Sequence, residues 1–197
     1  YLVMEYLPNN LFQLLRNGAL SLTQRLALAL HVSAGLNFLH SQDPPIFHRD
    51  LKSLNVLVDA TLNHAKLCDF GLALFKKKIR SILNSGKSVA IPSAGSELGT
   101  SSSHGLVGSF PWMAPEIMRA RPYSAAADVF SLGVVLWELL TGQEPWEDAV
   151  SCDIIRQEVL AGSRLEFPAA FPPILKALIS ECWELDPVKR PNIASVH

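Results

Sequence analysis

The run His48-Arg49-Asp50-Leu51-Lys52-Ser53-Leu54-Asn55, followed downstream by Asp69-Phe70-Gly71, gathers a base, a cation and two oxygen donors in a short span. A carboxylate such as Asp50 can align a hydroxyl nucleophile and take its proton. The ammonium of Lys52 can meet charge that builds on a transferring phosphoryl group. The amide oxygen of Asn55 and the carboxylate of Asp69 suit Mg²⁺, a hard ion that prefers oxygen ligands. The set points to phosphoryl transfer from a nucleotide. No His/Cys cluster suggests a softer metal. Three-letter strings such as HRD or DFG recur by chance, but HRDLKxxN fixes six residues, with odds on the order of one in 10^8 at a given start. With DFG and then Ala114-Pro115-Glu116 downstream, coincidence becomes negligible.

Composition excludes other classes. With 197 residues and 49% hydrophobic content, the chain can bury one sizeable core. Seventeen basic and eighteen acidic residues leave a formal charge of -1, with no broad electrostatic footprint for nucleic acid or an anionic membrane. Cys68, Cys152 and Cys182 are odd in number and lack CxxC spacing, as expected of reduced cytoplasmic thiols. The apolar runs at 26–39 and 132–140 carry polar interruptions and fall short of a membrane span. No signal peptide is expected.

The elements that must hold the chemistry can be read from spacing. Residues 1–7 have strand composition, and Pro8-Asn9-Asn10 should stop them. A short helix is expected over Leu11–Arg16. Ser21 and Gln24 have capping-box spacing, and Leu22, Leu26, Leu30, Val32, Leu36 and Leu39 then predict a long, largely buried helix ending near His40. Pro44 and Pro45 force an extended entry into the His48 loop. Val56–Val58 and residues 65–68 read as strands joined by a polar turn at 59–64. Residues 74–108, rich in Ser, Gly and Lys, are expected to form a mobile surface loop. Ser124 can cap a helix over Ala125–Thr141 that is apolar on all sides and ended by Gly142, so it belongs at the centre. Amphipathic segments at 153–160 and 174–182, and a helix starting near Asn192, complete a mostly helical body. No internal repeat is visible.

At these residues the chain resembles the eukaryotic protein kinase family. Lys52-Ser53, Pro44-Pro45 and Trp112-Met113-Ala114-Pro115-Glu116 look most like its tyrosine-kinase-like branch of serine/threonine kinases. The resemblance implies an α+β, predominantly helical fold. That fold is a C-terminal lobe with short β-hairpins, the N-terminal lobe being mostly absent. Residues 1–10 would be the hinge strand and linker, 11–197 the C-terminal lobe, and 69–116 the activation segment.

The resemblance also implies roles, residue by residue. Asp50 would be the base, Lys52 the cation, and Asn55 and Asp69 the Mg²⁺ ligands. His48 and Phe70 would be stacked spine residues, with Gly71 completing the Asp69 triplet, and Asp128 would tie down the backbone of the His48 loop. Glu116 and Arg190 would form a buried ion pair. Glu5 and Leu7 would meet the adenine edge of ATP, with Met4 as gatekeeper, Leu57 as apolar floor and Cys68 lining the pocket. Lys52, with Ser109 bridging it to Asp50, would make serine or threonine on a protein the acceptor. Arg49 would clamp a phosphate placed by an upstream kinase, with Thr100, Ser101, Ser102 and Ser103 as acceptors.

The family's Gly-rich loop and ATP-gripping lysine match nothing here, so this chain alone is expected to hold nucleotide poorly. Phe130 stands where many members have Trp. Two readings stay open at this point: an ATP- and Mg²⁺-dependent kinase in the cytoplasm or on the cytoplasmic side of a membrane, or a kinase-like scaffold that binds protein.

Overall fold

In the computed structural model, residues 3–69, the backbone of 74–75 and residues 109–196 are described. Phe70, Gly71, Thr100, Ser101, Ser102 and Ser103 lie outside them, as does most of the expected surface loop.

The chain opens without the expected strand. Residues 3–8 have no regular structure, and Met4 and Tyr6 are 71% and 84% exposed. A strand needs a neighbour for its backbone groups, and among the described residues pairing starts only at β1, Asn9–Asn10. The helix α1 follows over Leu11–Arg16, started by the Asn10 side chain, which accepts from the Gln13 N–H.

Helix α2 covers Leu22–His40, and the Ser21/Gln24 capping box is formed. Its buried face differs from the expected one. Leu28, Ala29, Val32, Leu36 and Leu39 are inside, whereas Leu22, Leu26 and Leu30 are exposed. A helix apolar on every side does not itself choose an inward face; the elements packed on it do.

β2, Ile46–Phe47, pairs antiparallel with β5, Leu74–Phe75. β3, Val56–Val58, stands between β1 and β4, Ala65–Leu67, in a small antiparallel sheet of order β1-β3-β4. The β3–β4 turn is organised by Asp59, whose Oδ1 accepts the N–H groups of Asn63 and His64. Downstream lie α3 (Pro115–Met118), α4 (Ala125–Thr141), α5 (Cys152–Ala161) and α6 (Pro173–Cys182).

The body is organised around α4, which is buried without a break from Ala127 through Leu139. It packs on α2, on α6 and on the 3-10 turn Phe110–Trp112. Gly133 lets α6 come close, since a Cβ there would stand 2.9 Å from the Cys182 Cβ. Ser124 begins α4 but its hydroxyl makes no cap bond. Packing on all sides supplies what the cap does not. In place of a helix at Asn192 there is a 3-10 turn, Ile193–Ser195, with the Asn192 side chain accepting from the Ala194 N–H. Among the described residues no helix is long and apolar enough to cross a membrane.

Gly142 ends α4 at φ +75, and a Cβ there would lie 2.5 Å from Nη1 of Arg25, a side chain that donates to the Leu139 carbonyl. Gly162 ends α5 at φ +100 with nothing near it. Alanine at Gly162 should therefore cost only the left-handed backbone penalty, about 1–2 kcal/mol. Alanine at Gly142 should cost more, because Arg25 must also move. Urea unfolding of the two variants checks the ranking, and equal losses would show that the Arg25 contact is immaterial.

Candidate active site

The site is built from loops held by one buried side chain. Asp128 lies in the first turn of α4 and is wholly buried. Its Oδ2 accepts the His48 N–H at 2.9 Å and a hydrogen bond from His40 Nε2 at 2.8 Å. Its Oδ1 accepts the Arg49 N–H at 2.9 Å and the Tyr123 O–H at 2.6 Å. A carboxylate only accepts, so His40 carries its hydrogen on Nε2. These bonds fix Arg49 at φ 71, a left-handed conformation that costs a non-glycine residue about 1–2 kcal/mol. Asp69 is also left-handed, at φ 62.

Asp50 is the centre of a closed polar network. Its Oδ1 accepts the Ser109 hydroxyl at 2.8 Å, and its Oδ2 accepts from Asn55 Nδ2 at 3.0 Å. Lys52 Nζ stands 2.9 Å from Asp50 Oδ2 and donates to Ser109 Oγ at 2.8 Å. Asn55 Nδ2 also donates to the Asp50 carbonyl at 2.8 Å. The nitrogen of Asn55 is thus spent on Asp50, leaving its oxygen as the atom to offer a cation.

The second oxygen donor is brought alongside by the backbone. The Cys68 N–H donates to the Asn55 carbonyl at 3.0 Å, which places the next residue, Asp69, beside Asn55. The pair fits Mg²⁺, which takes one or two protein oxygens and completes its shell with water and phosphate. No larger cage competes, since among the described residues no three His, Cys, Asp or Glu side chains gather as metal ligands.

His48 is fully buried behind this network. Burial pushes its imidazole below the ordinary value, against the upward pull of Asp128, Asp50 and a backbone hydrogen bond to Cys68. A neutral ring is the result, with Nδ1 facing the Asp50 N–H at 3.4 Å. Burial also raises the Cys68 thiol, with Asp69 adding to the shift, so this sulfur is a poor nucleophile.

Comparison with known proteins accords with this geometry. The protein kinase domain model matches residues 1–197. The chain belongs to the protein kinase family. It is 39% identical over 200 residues to the serine/threonine-protein kinase CTR1 of Arabidopsis thaliana, covering 99% of this chain and 22% of that protein. It is 38% identical over 198 residues to the probable serine/threonine-protein kinase SIS8 of the same plant, covering 99% of this chain and 17% of that protein. Mitogen-activated protein kinase kinase kinase 10 of Mus musculus is 34% identical over 176 residues, or 85% of this chain and 16% of that protein. The chain thus spans about a fifth of the length of these curated relatives. They support the tyrosine-kinase-like branch.

Within this kinase chain, Glu116 of α3 and Arg190 form a bidentate pair at 2.6 and 2.8 Å. Arg190 also donates to the carbonyls of Ala126 and Glu184. Its guanidinium lies 5.0 Å from the Phe130 ring centroid, and that of Arg164 lies 5.2 Å from it. Phe130 therefore keeps an aromatic face for two cations. Burial, then the neighbouring Arg190, lowers Arg164 to about 10.

Met4 is exposed, Leu7 and Leu57 are half-buried, and the Glu5 side chain pairs with Lys66 of β4 at 2.5 Å. Among the described residues, two surface cavities lie away from the Asp50 network. One is bounded by Glu116, Arg121 and Asp186, the other by Arg164, Phe167 and Trp183.

Motif spacing missed three residues. His40 and Tyr123 complete the shell of Asp128. Glu138, wholly buried on α4, accepts from Arg16 at 3.1 Å and from Trp112 Nε1 at 3.1 Å, joining α1 to the segment before α3. Its one visible signal is a lone carboxylate in an otherwise apolar helix.

Arg190→Met leaves Glu116 buried without its cation and should cost about 3–5 kcal/mol, whereas Arg190→Met with Glu116→Gln should recover part of the loss. Denaturant midpoints of the two variants decide this, and an intact midpoint for the single change would remove the pair from the fold's support.

Burial raises Glu138 from 4.5 to about 7, against Trp112 and Arg16, which favour the charged form. Between these values the folded chain holds a proton that the unfolded chain has lost. The associated stability is full below pH 4.5 and is lost as pH rises through about 7. Glu138→Gln should remove this slope, on the order of 3 kcal/mol in all. Parallel unfolding curves for the two proteins across that range would overturn the assignment.

Proposed function

We propose that the protein carrying this chain is an ATP- and Mg²⁺-dependent protein serine/threonine kinase. The observation that carries this reading is the Asp50 network, in which base, cation, hydroxyl and amide converge within hydrogen-bonding distance. Asp50 orients the acceptor hydroxyl and takes its proton. Lys52, held by Ser109, faces the side where negative charge spreads during transfer. Asn55 and Asp69 would hold Mg²⁺, which when bound would supply positive charge against the negative charge of the phosphate groups. His48 packs beneath the loop as a neutral ring.

Residues 1–10 act as hinge and linker, 11–197 as the C-terminal lobe and 69–116 as the activation segment. Met4, Glu5, Leu7, Leu57 and Cys68 serve the adenine side. Lys52 joined to Ser109 favours serine or threonine on a protein substrate, in keeping with relatives named serine/threonine-protein kinases. An upstream kinase acting on residues 100–103 is part of the same reading, as is a cytoplasmic setting. A scaffold that only bound protein would have no use for a base tied to both a cation and a metal-binding amide.

In the full-length protein, Asp50→Asn should lower kcat by about 10²–10⁴. Asp69→Asn should abolish Mg²⁺-dependent transfer with little change in thermal stability, because Asp69 is exposed. Radiolabelled phosphate transfer to a protein substrate, run beside a melting curve, checks both, and a normal rate for either variant would sink its assigned role.

A further inference from the structure

Tyr123 stands in the strand-free stretch between α3 and α4, and nothing in the reaction as described uses it. It nevertheless reaches the Asp50 loop in two ways, once through Asp128 and once directly. Its hydroxyl donates to Asp128 Oδ1 at 2.6 Å, the oxygen that also accepts the Arg49 N–H at 2.9 Å. Its ring centroid lies 5.2 Å from the Arg49 guanidinium carbon, within cation–π range. The same ring lies 6.3 Å from that of Phe47, which is packed edge-on at 5.9 Å against His40, the donor to Asp128 Oδ2. Tyr123, Phe47, His40 and Asp128 thus close a circuit around the His48–Arg49 peptide.

We infer that Tyr123 is a positioning residue for the loop that carries Asp50, gripping Arg49 by its backbone through Asp128 and by its side chain through the aromatic ring. This deepens the kinase reading and rests on it where turnover is concerned. The physical need is the left-handed φ of 71 at Arg49, which no local preference supports and the surroundings must enforce. Asp50 is the next residue, so a relaxed Arg49 peptide would swing the carboxylate away from Ser109 and Asn55. Burial and the nearby Asp128 hold the phenol well above its ordinary value, so the hydroxyl remains a donor at neutral pH. The ring also gives the Arg49 guanidinium a resting place that requires no phosphate on the loop. A phosphate, which can form charge-assisted bidentate bonds, would compete for the same side chain rather than create its order.

Hydrogen–deuterium exchange on this chain tests the inference without requiring turnover. Tyr123→Leu removes hydroxyl and ring, and should speed exchange of the Arg49 and Asp50 amides at least tenfold while leaving Val135 and Leu139 in α4 as slow as before. Tyr123→Phe keeps the ring and should give a smaller rise confined to the same amides. Unchanged exchange at Arg49 and Asp50, or an equal rise in α4, would show an ordinary core aromatic and overturn the proposal. Should Tyr123→Leu not fold, Tyr123→Phe decides alone: a local rise at Arg49 supports positioning, and none overturns it. In the full-length kinase, Tyr123→Phe should lower kcat several-fold at unchanged KM for ATP, and a rise in KM at constant kcat would count against it. If even the unsubstituted full-length protein transfers no phosphate, the kinase reading fails while the exchange result still judges Tyr123.

Discussion

Everything at the site depends on a buried carboxylate. Asp128 is rooted in the most deeply packed helix among the described residues and receives four donors, the backbone N–H groups of His48 and Arg49 and two side chains. A buried carboxylate without donors would be costly, so the loop's two N–H groups and the carboxylate satisfy one another. The strain at Arg49 is affordable only because this exchange is complete. From that anchor, Asp50 is presented to Ser109, Lys52 and Asn55, the last two joined locally by the 3-10 turn Ser53–Asn55.

The rest of the polar interior follows the same logic around α4. Glu116 and Arg190 join α3 to the last turns of the chain, with Phe130 beneath the guanidinium. Glu138, near the other end of α4, joins α1 to Trp112. Buried polar groups of this kind act as registration points: an apolar core tolerates sliding, whereas a bidentate ion pair does not. The central helix is thus both the hydrophobic axis and the frame to which the site is pinned.

How much was legible in the sequence varied with the kind of signal. Leu11–Arg16, the Ser21/Gln24 box, the β3–β4 hairpin and the Ala125–Thr141 helix ended by Gly142 stand where local chemistry put them. Residues 3–7 do not form a strand among the described residues, because composition supplies β-propensity but not a partner. On α2, the Leu22, Leu26, Leu30 row looked as fit for burial as Leu28, Val32, Leu36, and only the neighbours α4 and β4 separate them. At the site, Asp50, Lys52, Asn55 and Asp69 were visible as a motif. Tyr123 and His40 were not, since one aromatic and one histidine at unrelated positions carry no spacing signal.

The sequence by itself determined the family, because its motif residues sit at short, fixed separations and survive as contiguous letters. Tertiary structure alone decided which groups hold them. Asp128 meets His48 across 80 residues and Arg190 meets Glu116 across 74. Such partners are chosen by how helices stack, and stacking is a property of whole faces rather than of any local string.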